Sequence, residues 1–146
     1  TDRLLMWASG VQAIQDHLIW GIGYGNDKNV MDQYRIPLAE KNNHRFNTSA
    51  SAGVHNIYLQ TGLNYGIIGF LAYLGIVLGF LLTCILSLRR IESSSWEGAI
   101  LWGALAGVSG FMVAGVFENN FRDGEVQTAF LMLMGLVLHQ VYRLRN

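Results

Sequence analysis

The chain has 146 residues, of which 51% are hydrophobic and 14% are charged, and its formal net charge is zero. Soluble domains carry about 25% charged residues, so this is not the composition of an ordinary soluble domain, and the charge balance does not indicate nucleic-acid binding. Three stretches contain no Asp, Glu, Lys or Arg, namely residues 46–88, 98–117 and 126–142. Because a soluble helix needs a polar face towards water, these stretches indicate membrane-spanning segments.

The first predicted element is an amphipathic helix over residues 1–20. Apolar residues recur in it at helical spacing, at Leu4, Trp7, Val11, Ile14 and Leu18. Glycines at 21, 23 and 25 end this helix in a turn. Residues 28–53 are polar, contain Pro37 and are predicted to be irregular. We therefore predict a partly helical loop over residues 1–65, outside the bilayer.

Three helices long enough to cross a bilayer are predicted after this loop, over residues 66–88, 99–117 and 126–142. Small residues at helix-packing spacing, such as Gly75 and Gly79, predict close helix packing. The fold class is therefore an all-α, polytopic integral membrane protein fragment. We expect further helices before Thr1, because three spans make a thin bundle.

Basic residues at the span ends predict the orientation. Arg89 and Arg90 follow the first span, and Arg143 and Arg145 follow the third. Because basic residues are enriched in cytoplasmic loops, these ends should face the cytoplasm. The loop 1–65 and the turn 118–125 should then lie on the outer side. In that turn, Glu118 and Asp123 could reach the site from across the bundle, but a solvated turn is the favoured interpretation.

Arg3 is a candidate phosphate-binding residue because it lies in the first turn of the predicted outer helix. A guanidinium there adds a permanent positive charge to the free N–H groups of the helix start, and this combination suits phosphate. The alternative is a solvated surface arginine, which spacing alone favours.

His55 is a candidate proton acceptor at the membrane interface, because imidazole takes up a proton near neutral pH. The alternative is an interfacial histidine bonded to a backbone carbonyl. Asn56, Gln60 and Asn64 follow at intervals of four and share one helix face. Such a polar stripe needs partners at membrane depth, which neighbouring helices or sugar hydroxyls could supply. The histidines lack the spacing of metal ligands, so we predict no metal site and no cofactor.

Four short motifs occur in order along the first half of the chain. They are Asp2-Arg3-Leu4-Leu5-Met6-Trp7, Trp20-Gly21-Ile22-Gly23-Tyr24-Gly25, His55-Asn56-Ile57-Tyr58-Leu59-Gln60 and Gly66-Ile67-Ile68-Gly69. Together they resemble the O-antigen ligase family, which includes O-antigen ligases, polysaccharide polymerases and bacterial protein O-oligosaccharyltransferases. The resemblance runs from Arg3 to about Leu82 and is weaker beyond.

The resemblance implies an inner-membrane enzyme of the GT-C type with a large periplasmic loop. Such enzymes move a glycan from a polyprenyl diphosphate carrier to a lipid A-core, glycan or protein hydroxyl, without a metal. Arg3 and His55 match residues of the family motifs. The match implies that Arg3 holds the diphosphate and that His55 lies at the reacting centre. We therefore predict both residues as catalytic and expect them to converge. The residues that we predict to bind substrate lie in the His55 segment: Asn56, Tyr58, Gln60 and Asn64. We expect inversion at the anomeric carbon.

Two departures from the family pattern stand out. The family commonly has a proline before the glycine turn, where this chain has Leu18 and Ile19. It also uses another arginine further upstream, which these residues do not include.

Two alternatives stay open at this point. A polysaccharide polymerase of the same family uses the same residues, and only the acceptor distinguishes it from a ligase. A membrane transporter belongs to another class, but ion-coupled transport places ionisable residues inside the spans. Here the predicted spans contain only His139.

Overall fold

The computed structural model describes residues 2–46, 53–92 and 95–145. Of these residues 77% are helical, and no strand occurs among them, which confirms the all-α class. The helices are α1 (Asp2–Asp16), α2 (Asp27–Val30), α3 (Asp32–Lys41), α4 (Ile57–Leu88), α5 (Trp96–Ala114) and α6 (Gly124–Arg145). A 3-10 turn, Asn120–Arg122, precedes α6.

Two compact units share these helices. The first unit comprises Thr1–Tyr73 and Gly115–Asn119, and the second comprises Leu74–Ala114 and Asn120–Asn146. The first unit therefore contains the predicted loop, the beginning of α4 and the turn after α5.

Helix α1 ends four residues earlier than predicted, and the residues of its apolar stripe are not the ones that it buries. Leu4, Val11 and Leu18 from the apolar stripe are 66%, 41% and 51% exposed. The buried residues of the helix are Met6, Ser9, Gly10 and Ala13. Small side chains pack here because the neighbouring segment comes very close: a Cβ on Gly10 would lie 2.8 Å from Cγ1 of Val54.

The segment after the glycine turn contains α2 and α3, so the prediction of an irregular segment over 28–53 is wrong for these helices. Pro37 lies inside α3, where it removes one backbone donor and disfavours a helix. Tertiary contacts offset this weak local pattern. The Tyr34 hydroxyl donates to Asp16 Oδ2 at 2.9 Å, and Arg35 is only 3% exposed. Residues 47–52 lie outside the described part of the chain.

Gly66 interrupts α4, where its φ of 65° and ψ of −168° are not helical. The backbone groups released by this break bond to the segment around the glycine turn. Ile22 N donates to Leu63 O at 2.8 Å, Gly23 N to Asn64 O at 3.0 Å, and Ile67 N to Leu18 O at 2.8 Å. Gly21 also has a positive φ of 70°. A Cβ on Gly21 would overlap the Asn64 backbone, and one on Gly66 would overlap the Ile19 carbonyl, so both positions require glycine.

Two helices of the described chain are long and apolar enough to cross a membrane, α4 and α5. Helix α5 begins and ends three residues before the predicted span. Helix α6 covers the third predicted span but is not one of these two helices, because Gln127, His139 and Gln140 reduce its apolar character. The third span therefore stays a prediction. Close packing at Gly75 and Gly79 is not observed, since a Cβ at either would meet no described atom within 4 Å.

Candidate active site

Arg3 and His55 meet at a single carboxylate in the first unit. Arg3 Nη2 donates to Glu118 Oε1 at 2.7 Å, and His55 Nδ1 lies 3.4 Å from Glu118 Oε2. The expected convergence of Arg3 and His55 is therefore confirmed. The side chains of Arg3, Glu118 and His55 are 50%, 45% and 31% exposed, so a substrate can reach all three.

Glu118 reaches this position because the turn that carries it is bonded to the beginning of α4. Ile57 N donates to Gly115 O at 2.7 Å, and Asn56 Nδ2 donates to Val116 O at 2.8 Å. The expectation that Glu118 is only a solvated turn residue is therefore wrong. No local spacing links an acid in a turn to residues far upstream, so only the fold identifies its partners.

The contacts with His55 and Arg3 affect the charge state of Glu118. The hydrogen bond from His55 is the main cause that lowers the pKa of this carboxyl below its usual value, and the bond and charge of Arg3 act in the same direction. A lowered pKa keeps the carboxylate ionised at neutral pH. Its contacts stabilise the folded chain above the ordinary carboxyl pKa, and this stabilisation is lost as pH falls through the lowered value.

His55 itself has an unusual backbone conformation, with a φ of 47°. This left-handed region is sparsely populated by residues other than glycine. Gly53, two positions earlier, also has a positive φ, of 74°, and its carbonyl accepts a hydrogen bond from Arg35 Nη2 at 2.6 Å. Burial lowers the pKa of the Arg35 guanidinium, an effect that nearby aspartates oppose. A buried arginine therefore holds the segment that enters the site.

The side chains of the predicted polar stripe are engaged within the chain. Asn56 Oδ1 accepts hydrogen bonds from the backbone N–H groups of Tyr58 and Leu59 at 3.0 and 2.9 Å, which caps α4. Gln60 accepts from Val54 N at 3.0 Å and donates to Asn64 Oδ1 at 2.9 Å. The geometry favours internal partners for the stripe, whereas its predicted contact with sugar stays a prediction.

Gln60 has a further partner that the sequence did not suggest. Its Nε2 donates to Asp27 Oδ1 at 2.5 Å, and Asp27 is only 1% exposed. An acid that follows glycines and Asn26 is typical of a solvated turn, so the sequence contains no sign that Asp27 is buried.

Tyr58 lies on an apolar groove rather than beside the three polar residues. The groove has a volume of about 230 Å³ and is lined by Ile14, Leu18, Tyr58, Leu59, Gly62, Ile67 and Phe70. It lies between the C-terminal end of α1 and the first part of α4, on both sides of Gly66, and its lining side chains are largely apolar. A lipid tail is therefore the kind of ligand that this groove suits.

Metal ligation is not indicated around these side chains. Across residues 2–46, 53–92 and 95–145, no group of three or more His, Cys, Asp or Glu could hold a metal ion. Arg3, His55 and Glu118 are ionisable side chains that the structure brings together at this point.

Comparison with known proteins gives one match. A family model described as O-antigen ligase matches residues 1–74, a range that contains Arg3, the glycine turn, His55 and the break at Gly66. No curated protein and no solved structure matches the chain.

Proposed function

Because the chain belongs to the O-antigen ligase family, we propose that it transfers a glycan from a polyprenyl diphosphate carrier to an acceptor hydroxyl. At the level of the family, this is a membrane enzyme that transfers glycans. The observation that carries the specific proposal is the contact of one carboxylate, Glu118, with both Arg3 and His55. This arrangement brings a permanent cation and a base to one exposed point.

Arg3 binds the diphosphate of the donor in this proposal. Glu118 accepts one hydrogen bond from Nη2 of Arg3, whereas a guanidinium has five N–H donors in a planar fork. The fork can therefore contact phosphate oxygens while Glu118 keeps its orientation. As the carrier diphosphate leaves, it gains negative charge, which the guanidinium stabilises without a metal.

His55 acts as the general base. With its Nδ1–H donated to Glu118, the imidazole has a free lone pair at Nε2, as in other histidine–carboxylate pairs. The acceptor oxygen attacks the anomeric carbon and its proton passes to Nε2. The bond from this carbon to the diphosphate oxygen breaks, and the carrier diphosphate leaves with the electron pair. A single displacement of this kind inverts the anomeric configuration.

The apolar groove takes the first isoprenyl units of the carrier. Its lining residues come from the C-terminal part of α1, from Leu18 just beyond it, and from α4, which begins two residues after His55. A carrier anchored there would have its diphosphate on the side of the charged residues. The remaining partners that we propose are the bilayer and, for a ligase, the lipid A-core acceptor.

We propose that the site faces the periplasm from the bacterial inner membrane. The basis is the clustering of Arg89, Arg90, Arg143 and Arg145 beyond the opposite span ends. An impermeant thiol reagent should label Asn29→Cys in intact spheroplasts and Glu92→Cys only in opened membranes, with Cys84→Ser in both variants. The reverse pattern would overturn this orientation.

Substitutions at Arg3 and His55 test the proposed chemistry. His55→Ala should lower kcat by about 10²- to 10⁴-fold, the contribution of a positioned base, and leave donor binding largely intact. Arg3→Ala should weaken donor binding and also slow transfer. Arg3→Lys should rescue only part of this loss, because an ammonium lacks the planar fork.

The controls for these substitutions are His17→Ala and Arg45→Ala, since both residues are exposed in the same unit. Transfer from a polyprenyl diphosphate-linked oligosaccharide and protein abundance should be measured together. Near-normal transfer by an abundant His55→Ala protein would remove the proposed base. Loss of the protein itself would favour a structural role. Offering lipid A-core and a carrier-linked glycan as competing acceptors distinguishes a ligase from a polymerase.

A further inference from the structure

The backbone of His55 is held in an energetically unfavourable conformation. Its φ of 47° lies in the left-handed region, which side chains with a Cβ rarely adopt. Such a conformation persists only when surrounding contacts determine it, and it is frequent at functional sites. The contacts on either side of His55 therefore decide where its imidazole points.

Different groups hold the two neighbours of His55. On the following side, Asn56 caps α4 and bonds to Val116 O. On the preceding side, the backbone N–H of Val54 donates to Gln60 Oε1 at 3.0 Å. Val54 is completely buried, so this amide cannot exchange its partner for water without an opening of the structure.

The orientation of the Gln60 amide depends on Asp27. Asp27 Oδ1 accepts a hydrogen bond from Gln60 Nε2, 2.5 Å away, so the NH2 group of Gln60 faces Asp27. The amide oxygen must then face Val54. Asn64 Oδ1 accepts the second N–H of the same group at 2.9 Å. Asp27, Gln60 and Asn64 are 1%, 3% and 4% exposed, so this orientation is fixed inside the protein.

We infer that Asp27 and Gln60 are positioning residues that hold His55 in its reactive orientation through the Val54 amide. This inference rests on the proposed role of His55 as the base. Burying a carboxylate is unfavourable unless it is well hydrogen-bonded, and a purely structural core position would be filled more readily by an apolar side chain. In this role neither residue needs to touch the substrate, because both act on the geometry of the base.

Exchanging the charge between the two positions tests the inference in the full chain. Gln60→Glu brings two carboxylates together, which disfavours the wild-type geometry at neutral pH. Adding Asp27→Asn restores one amide and one carboxylate in reversed places. The carboxylate of residue 60 then accepts from Val54 N and from the new amide, and the Asn64 amide can rotate to donate to it.

The single variant Gln60→Glu should lower kcat by about tenfold to a hundredfold, because a small misplacement of a catalytic group has effects of up to about 10². The donor KM should hardly change, since Arg3 is intact. The double variant Asp27→Asn/Gln60→Glu should regain most of the lost kcat. The matched control is Thr61→Val, which removes another buried hydrogen bond of α4, to Ile57 O, and should leave kcat unchanged.

Transfer per molecule, with a polyprenyl diphosphate-linked oligosaccharide as donor, decides between the outcomes. An abundant double variant that stays as slow as Gln60→Glu would overturn the inference. So would a normal kcat in Gln60→Glu, or a Thr61→Val control that is equally slow. If His55→Ala transfers normally, it is the proposed function that fails, and the two failures are thereby distinguished.

Discussion

The two units of the chain differ in what they bury. Polar and charged side chains are buried in the unit with the candidate site, at Ser9, Asp27, Arg35, Asn56, Gln60, Thr61 and Asn64. In the described part of the other unit, Ser87 is the buried polar side chain. Because a buried polar group requires hydrogen-bond partners, each one fixes local geometry. Substitutions should therefore have sharper effects in the first unit than in the second.

The sharpest contrast should come from glycine. Gly21→Ala places a Cβ against the Asn64 backbone at a positive φ and should destabilise the fold by about 3 kcal/mol or more, from backbone strain and overpacking together. Gly79→Ala, where a Cβ meets open space, should leave stability nearly unchanged. Thermal unfolding of both detergent-solubilised variants measures the difference. Equal unfolding temperatures would contradict the contrast between the units.

An intermediate effect is expected at the shared carboxylate. Glu118→Gln keeps the size of the side chain but removes the charge that holds Arg3 and His55. Transfer should fall by at least about tenfold, a part of the roughly 10²- to 10⁴-fold that a positioned base contributes. Glu125→Gln, at the exposed beginning of α6, is the control and should transfer normally. If Glu118→Gln lowers transfer by less than a few-fold, the turn 118–125 is only a connector.

The smallest effect should come from filling the apolar groove. A Cβ on Gly62 has room, since its nearest described atom is Ile14 Cδ1 at 3.6 Å, whereas a leucine would occupy the groove itself. Gly62→Leu should raise the KM for a long-chain donor and leave the KM for a short-chain analogue unchanged. Gly79→Leu in the second unit should alter neither. An equal increase for both donors would mean that the groove does not hold the carrier tail.

The sequence predicted the helices best where one physical property dominates. Long charge-free stretches identified α4 and α5, since crossing hydrocarbon excludes charge over a whole helix. The periodicity of residues 1–20 predicted the helix but not which residues it buries. Leu4 and Val11 of the apolar stripe are exposed, whereas Gly10 and Ala13 are buried because they permit close contact.

The candidate site was predictable only in part. Arg3 and His55 were identified from short motifs, and their convergence followed from their positions at the ends of outer elements. Glu118 was considered but not favoured, and Asp27 was not identified, because each lies in a turn where an acid is ordinary and its partners are distant in sequence. Tertiary contacts, which no local pattern encodes, give these two acids their importance.

The break at Gly66 also changes how α4 matches a bilayer. An unbroken helix over Ile57–Leu88 would be roughly 48 Å long at 1.5 Å per residue, well beyond the roughly 30 Å thickness of hydrocarbon. A continuous helix of that length would have to tilt strongly or thicken the bilayer to relieve hydrophobic mismatch. Residues 67–88 alone extend roughly 33 Å, close to the bilayer thickness. The break at Gly66 therefore reduces the hydrophobic mismatch, because it separates residues 67–88 from the first part of α4. Changes in membrane thickness then need not tilt this first part, which begins beside His55.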